Sequence, residues 1–249
     1  MRKTVVLTVS ESKRLIGKGV ANMECVRSAL KDGMVVIGTG STNGYVLEEI
    51  LGRRIDKTSY RSGLTFPTKG TARSRLSPTI PDVILRAGTQ VEGMTRFEAS
   101  NHMKEGDVFI KGANALDYKS KMAGILIGGG SSGTIGSAIG NIVGKRIELI
   151  LPVGLEKSVY GDIVEISRAL SGEGTRGPTL MPVFGTIVTE IEALEILTGV
   201  RAMQVAAGGV GGAEGSISLL LEGTAEQIER TEELLDGIYG EPPWVPWET

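Results

Sequence analysis

The chain has 249 residues, enough for one large domain or two smaller ones around a substantial core. Glycine is the outlier at 36 residues; that is about twice average usage, and the glycines lie between apolar runs, which reads as tight turns and close backbone approaches. The formal net charge of −2, with acids and bases mixed, argues against a nucleic-acid or membrane partner. Cys25 is the one cysteine, so no disulfide can form within the chain, and it reads as a core thiol. His102 is the one histidine, so no histidine cluster exists to ligate a metal, and no cofactor is expected.

At the N-terminus, "MRKTVVLTVSESKR" holds an apolar run too short for a signal-peptide core, and a cytoplasmic protein is expected. Thr4 to Val9 reads as a first or edge strand. Leu15, Val20, Met23, Val26 and Leu30 then recur near helical spacing up to Asp32-Gly33. Met34 to Ile37 is a short buried strand, and Asn43 to Leu51 a helix. The segment 53–75 is basic and turn-rich: Arg53, Arg54, Lys57, Arg61, Lys69, Arg73 and Arg75 face one acid, Asp56. It reads either as a solvated loop or as a basic flap over an anionic ligand. Val83 to Ala87 and Val108 to Ile110 are further strands. Met122 to Gly144 lacks charge and is long enough to span a bilayer. Its glycines and serines make it too weakly apolar, so it reads as a strand from Ile125 to Ile127, a glycine turn and a helix. Ile135, Ile139, Ile142 and Val143 would face inward there, with Gly136, Gly140 and Gly144 as a smooth packing stripe. Ile147 to Leu151 is a buried strand and Ser158 to Leu170 a helix. This alternation implies a largely parallel sheet with helices on both faces.

The pattern changes after "SGEGTRGPTLMP". Thr189 with Glu192 forms a capping box for a helix that stops at Gly199; Arg201 to Ala207 and Ser216 to Glu222 are strands; Thr224 with Gln227 caps a final helix ending at Gly237. Helix–strand–strand–helix suggests a small α+β unit. The expected division is therefore a ligand-binding domain over 1–175, an α+β domain over 176–240 and an irregular tail over 241–249. Trp244 and Trp247 would pack the tail onto the body or a neighbouring subunit, and a homo-oligomer is expected.

Parallel sheets bind ligands beyond the carboxyl ends of their strands, and three strand ends carry loop chemistry. Gly38, Thr39, Gly40, Ser41, Thr42 and Asn43 combine backbone freedom, hydroxyls and a helix N-terminus that favours an anion. Lys111, Gly112, Ala113, Asn114 and Asp117 bring an amine, an amide and a carboxylate. Gly128, Gly129, Gly130, Ser131 and Ser132 form a second glycine-rich turn. Neither glycine turn fits a Walker loop or the dinucleotide fingerprint. Lys111 and Asp117 are the candidates for catalysis.

In their order these parts resemble the superfamily of ribose-5-phosphate isomerase A, glucosamine-6-phosphate deaminase and the CoA transferases, with the isomerase closest. "VVIGTGSTNGYVLEEI", "FIKGANALD", "LIGGGSSGTIGSAIG" and "IELILPVG" stand where that family has its loops and strands. The resemblance implies a Rossmann-like sheet with a smaller α+β, ferredoxin-like lid, and a sugar phosphate or similar anion over Gly38 to Thr42. It does not carry the isomerase mechanism. Lys111 and Asn114 stand where the family has acids, Ile127 where it has a lysine, and enediol chemistry needs a carboxylate base. The expectation is a protein binding a small anionic, phosphorylated metabolite. The alternatives are a divergent isomerase or acyl-transfer enzyme with a rearranged site, and a ligand-sensing regulatory or assembly protein.

Overall fold

A computed structural model describes residues 1–62, 65, 79–129 and 132–244. Its elements follow from local chemistry. β1 (Arg2–Leu7) ends because Thr8 caps α1 (Val9–Asn22): the Thr8 hydroxyl accepts from the Glu11 N–H and the Glu11 carboxylate accepts from the Thr8 N–H. The strand expected over Thr4 to Val9 therefore starts and stops two residues earlier. Met23, extended at ψ 136°, breaks the single helix expected next and separates α1 from α2 (Glu24–Asp32). β2 (Met34–Ile37) is buried throughout and leads through Gly38–Gly40 into α3 (Ser41–Leu51).

The chain continues as β3 (Val83–Arg86), β4 (Thr89–Gln90), α4 (Arg96–His102), β5 (Val108–Ile110), β6 (Ala115–Asp117), β7 (Met122–Ile127), α5 (Gly133–Gly136), α6 (Ile139–Gly144) and β8 (Glu148–Pro152). A 3-10 turn (Leu155–Lys157) precedes α7 (Ile163–Leu170), β9 (Thr179–Val183), β10 (Thr186–Val188), α8 (Glu190–Thr198), β11 (Arg201–Ala207), β12 (Ile217–Glu222) and α9 (Ala225–Asp236). α7 starts five residues later than expected because the Asp162 carboxylate accepts from the Val164 and Glu165 N–H groups and fixes the start there.

The architecture is mixed α/β. A six-stranded sheet runs β10-β8-β5-β2-β3-β4, in which β2, β5, β8 and β10 are mutually parallel and β3 and β4 are antiparallel additions. α1 packs across α3 and α8 and reaches β8 and β10; α2 packs on β2, β3 and β5. β7 does not join this sheet. It forms an antiparallel sheet, β6-β7-β9, because the short β6–β7 hairpin turns the chain straight back on itself. The helix expected after it is two short pieces interrupted at Ser137 and Ala138. Val143 is exposed, and Cβ atoms at Gly140 and Gly144 would meet open space, so the expected packing stripe is not one.

Both C-terminal capping boxes form, Gly199 closes α8 in the left-handed conformation, and β11 and β12 fall where expected. Their sheet is completed by the first strand: β12 lies between β11 and β1. β9 and β10 hydrogen-bond to β7 and β8, so backbone pairing links residues on either side of position 175. One apolar cluster runs from Val5 to Ile238, and a smaller one joins Ala115, Met122, Ile163 and Leu180. The tail is tied down by charge: buried Arg14 donates to Glu48, Glu49 and Glu241, and the Trp244 indole donates to the Lys57 carbonyl at 3.2 Å. Trp247 lies outside the described residues.

Candidate functional site

Ile37 and Ile110 are register partners at the carboxyl ends of β2 and β5, so Gly38 and Lys111 emerge side by side. The Gly38 N–H donates to the Ile110 carbonyl at 2.9 Å, and the Lys111 N–H to the Ile150 carbonyl at 3.0 Å, which continues the ladder into the loops. Gly38 has a steric reason to be glycine: a Cβ there would lie 3.2 Å from Lys111 Cδ and 3.3 Å from the Ile110 carbonyl oxygen. The Asn43 side-chain amide donates to the Gly38 carbonyl at 2.6 Å. The Asn43 side chain is thus a staple for the loop. The Thr39 N–H is held at 2.6 Å by Asp82, whose other oxygen accepts from Arg96 at 2.6 Å.

This scaffold presents the start of α3. The Gly44 N–H closes the first turn onto the Gly40 carbonyl at 2.9 Å. Among the described residues no acceptor takes the N–H groups of Ser41, Thr42 or Asn43. The Thr42 hydroxyl oxygen is buried and has no hydrogen-bond partner among them either. Around this corner lies a pocket of about 340 Å³, bordered by Thr39 to Thr42, by Gly112, Ala113 and Asn114, and by the cations Lys13, Arg61, Lys111 and Lys157.

Three lysines converge from three elements: Lys13 from α1, Lys111 from the end of β5 and Lys157 from the 3-10 turn. Lys111 Nζ donates to the Gly112 carbonyl at 3.0 Å and Lys157 Nζ to the Ala113 carbonyl at 2.9 Å. Among the described residues none of the three forms a salt bridge, although Lys13 and Lys111 are only 9% and 8% exposed. Burial and the neighbouring Lys157 lower Lys13 to about 8 against the pull of Glu156. Burial and Lys157 likewise lower Lys111 to about 8, with Asp82 opposing and Arg96 adding to the drop. A second cleft of about 850 Å³ adjoins the pocket and shares Thr39, Arg61, Ser62, Lys111 and Asn114 with it. Asp82, Arg96, Ile127 and Thr134 border it as well.

The first two expected loops thus meet. Gly128, Gly129 and Ser132 border the larger cleft, while Gly130 and Ser131 lie outside the described residues. Because α5 has only four residues, the third loop offers no helix N-terminus comparable to that of α3. Asp117 is a correction. Ala115–Asp117 is a strand, which carries Asp117 to the far end of the β6–β7 hairpin, about 10 Å along the chain from Asn114. There its carboxylate accepts from the Lys119 and Ser120 N–H groups as a turn cap and borders neither cleft. Asn114 uses its carbonyl oxygen to accept from the Leu126 N–H at 3.0 Å. Of the basic segment, Arg54 and Lys57 are neutralised by Glu48 and Glu241, and Arg61 reaches the clefts; Lys69, Arg73 and Arg75 lie outside the described residues. His102 ends α4, exposed, and Cys25 is partly buried against the core.

Sequence reasoning missed Lys13, Lys157, Asp82 and Arg96. Lys157 had a signal: it follows "ILPVG", the carboxyl end of a third parallel strand. Among the described residues no group of histidine, cysteine, aspartate and glutamate is placed to hold a metal ion, and no helix is long and apolar enough to cross a membrane. No family model matches the chain, and no match to it occurs among the curated proteins or the solved structures.

Proposed function

We propose that the protein binds a small phosphorylated metabolite, with the phosphate at the start of α3 between Lys13, Lys111 and Lys157 and the organic body in the larger cleft. One observation carries this reading. Three lysines, two of them almost fully buried, border the same pocket as the start of α3, and among the described residues none of them forms a salt bridge. Desolvated charge of one sign is costly to keep. A phosphate would supply up to two negative charges and accept from the Ser41, Thr42 and Asn43 N–H groups and the Thr42 hydroxyl. The order of loops that resembles the isomerase superfamily supports the same ligand class and a Rossmann-like reading of the parallel strands. The mixed surface charge and single cysteine support a cytoplasmic location.

The test is a thermal-shift series in phosphate-free buffer with inorganic phosphate, sugar phosphates and matched unphosphorylated sugars. Phosphorylated compounds are expected to raise the unfolding midpoint by mass action. The response should disappear in Thr42→Val and Lys13→Met. A stable protein whose midpoint none of them moves would refute the reading.

A second reading, an enzyme with a rearranged site, is favoured by Lys111 alone. It is an amine rather than an acid, buried, and lowered to about 8 by burial and Lys157; such lysines serve as nucleophiles or bases.

A further inference from the structure

The two clefts meet at one amine. Lys13 and Lys157 border the smaller pocket only, whereas Lys111 borders both. The Lys111 backbone continues the central ladder through the bond to the Ile150 carbonyl. Its stem runs past Gly38 at a distance that a side chain there would close, and its Nζ is held at 3.0 Å by the Gly112 carbonyl. Lys111 carries the one lysine amine that a ligand with its phosphate on α3 and its body in the larger cleft would meet in both clefts among the described residues. No carboxylate pairs with Lys111 among the described residues, since Asp82 is engaged by the Thr39 N–H and Arg96.

From this placement we infer that Lys111 is a reactive amine, forming an imine with a phosphorylated aldehyde or ketone whose phosphate occupies the smaller pocket. The inference rests on the anion-binding reading above. The lone pair of neutral Lys111 attacks the carbonyl carbon and forms the C–N bond. Both amine protons leave with the carbonyl oxygen as water, and a C=N bond replaces C=O, so no oxidant, reductant or further reactant is needed. Burial and the positive charge of Lys157 and Arg96 favour the neutral amine that the attack requires. Lys13 and Lys157 keep the phosphate, which divides anchoring from bond formation between different lysines.

The probe is pyridoxal 5′-phosphate, a phosphorylated aldehyde, added to the full chain and trapped with borohydride, followed by peptide mapping. Unphosphorylated pyridoxal and competition by inorganic phosphate are the controls. The expected result is one dominant adduct on Lys111, suppressed by phosphate, weak with pyridoxal and lost in Lys111→Arg. An adduct on Lys13 or Lys157 instead, or adducts spread over exposed lysines and insensitive to phosphate, would overturn the assignment. No adduct, while phosphate still raises the wild-type midpoint, would sink the imine and leave the anion site standing. Neither adduct nor midpoint shift would sink both.

Discussion

Replacing Lys13 by methionine is expected to stabilise the unliganded protein. Methionine keeps most of the aliphatic stem that packs in α1 and removes the ammonium. The drop of Lys13 from 10.5 to about 8 corresponds to about 3 kcal/mol of lost native stability at pH 7. The sign follows from proton binding. Between the folded value and 10.5 the unfolded chain holds the extra proton, so wild-type stability rises as pH rises through that window. At pH 9 the same linkage leaves a difference of about 2 kcal/mol between variant and wild type. In a chain of this size 1 kcal/mol moves the midpoint by about 2 to 4 °C, so Lys13→Met gains about 6 to 12 °C at pH 7 and less at pH 9. Phosphate narrows the gap from the other side, because it stabilises wild type alone, by about 2.7 kcal/mol at a hundredfold excess over Kd. Thermal unfolding of both proteins at pH 7 and pH 9, with and without phosphate, reads all four values. A variant less stable than wild type at pH 7 in phosphate-free buffer would refute the argument that Lys13 is an uncompensated buried charge.

Gly38→Ala places a methyl 3.2 Å from Lys111 Cδ; it should cost about 1 to 3 kcal/mol of stability and weaken phosphate binding, both read by thermal shift. Glu190 is buried and raised to about 7 by burial and by Glu156. Its stability contribution is full below about 4.5 and lost as pH rises through about 7. Glu190→Gln should therefore be more stable than wild type at pH 8, by up to about 3 kcal/mol, with the difference vanishing near pH 4 in urea titrations. Asp117→Asn should leave the phosphate-induced midpoint shift unchanged, and loss of that shift would return Asp117 to the site. Arg14→Met leaves Glu48 and Glu241 buried with one cation fewer, and should cost about 3 to 5 kcal/mol in urea unfolding.

What was legible in the sequence is what is local. Thr189 with Glu192, Gly199, and Thr224 with Gln227 are signals written within one helical turn, and each forms. The same box at Thr8 and Glu11 and at Thr95 and Glu98 sets two helix starts that apolar periodicity alone does not show. The corner at Gly38 to Thr42 was legible because a buried strand, glycines and a helix start are adjacent in the chain. Membership of a sheet is not local. Ile125 to Ile127 has the same apolar run as β2, yet a hairpin with β6 sends it into a separate antiparallel sheet. That pairing also removes Asp117 from the loop the letters "KGANALD" suggest. Lys13 comes from an earlier helix, so only the packing of α1 across α3 brings it to the start of α3.

Charge placement in this region separates folding from binding. Glu156 and Glu190 are the acids of this region; Glu156 pulls against the drop at Lys13, but among the described residues neither acid forms a salt bridge with a lysine of the pocket. Instead Glu190 accepts from the Leu155 N–H at 3.0 Å, and one oxygen on each acid is buried without a partner among the described residues. Glu156 raises the cost of charging Glu190, and Lys157 raises the cost of charging Lys13, so a buried group of each sign is strained. By contrast, the neighbouring cluster of Arg14, Arg54 and Lys57 with Glu48 and Glu241 is fully paired, which shows that this fold can neutralise lysine and arginine at the same helices. A fold selected only for stability would pair Lys13 and Lys111 in the same manner or replace them with apolar side chains. Keeping them unpaired lowers stability and leaves the positive potential directed at the cleft. Under the proposed function, the energy missing from folding is recovered when an anion binds. This is why stabilisation by Lys13→Met and loss of the phosphate response should appear together in a single variant.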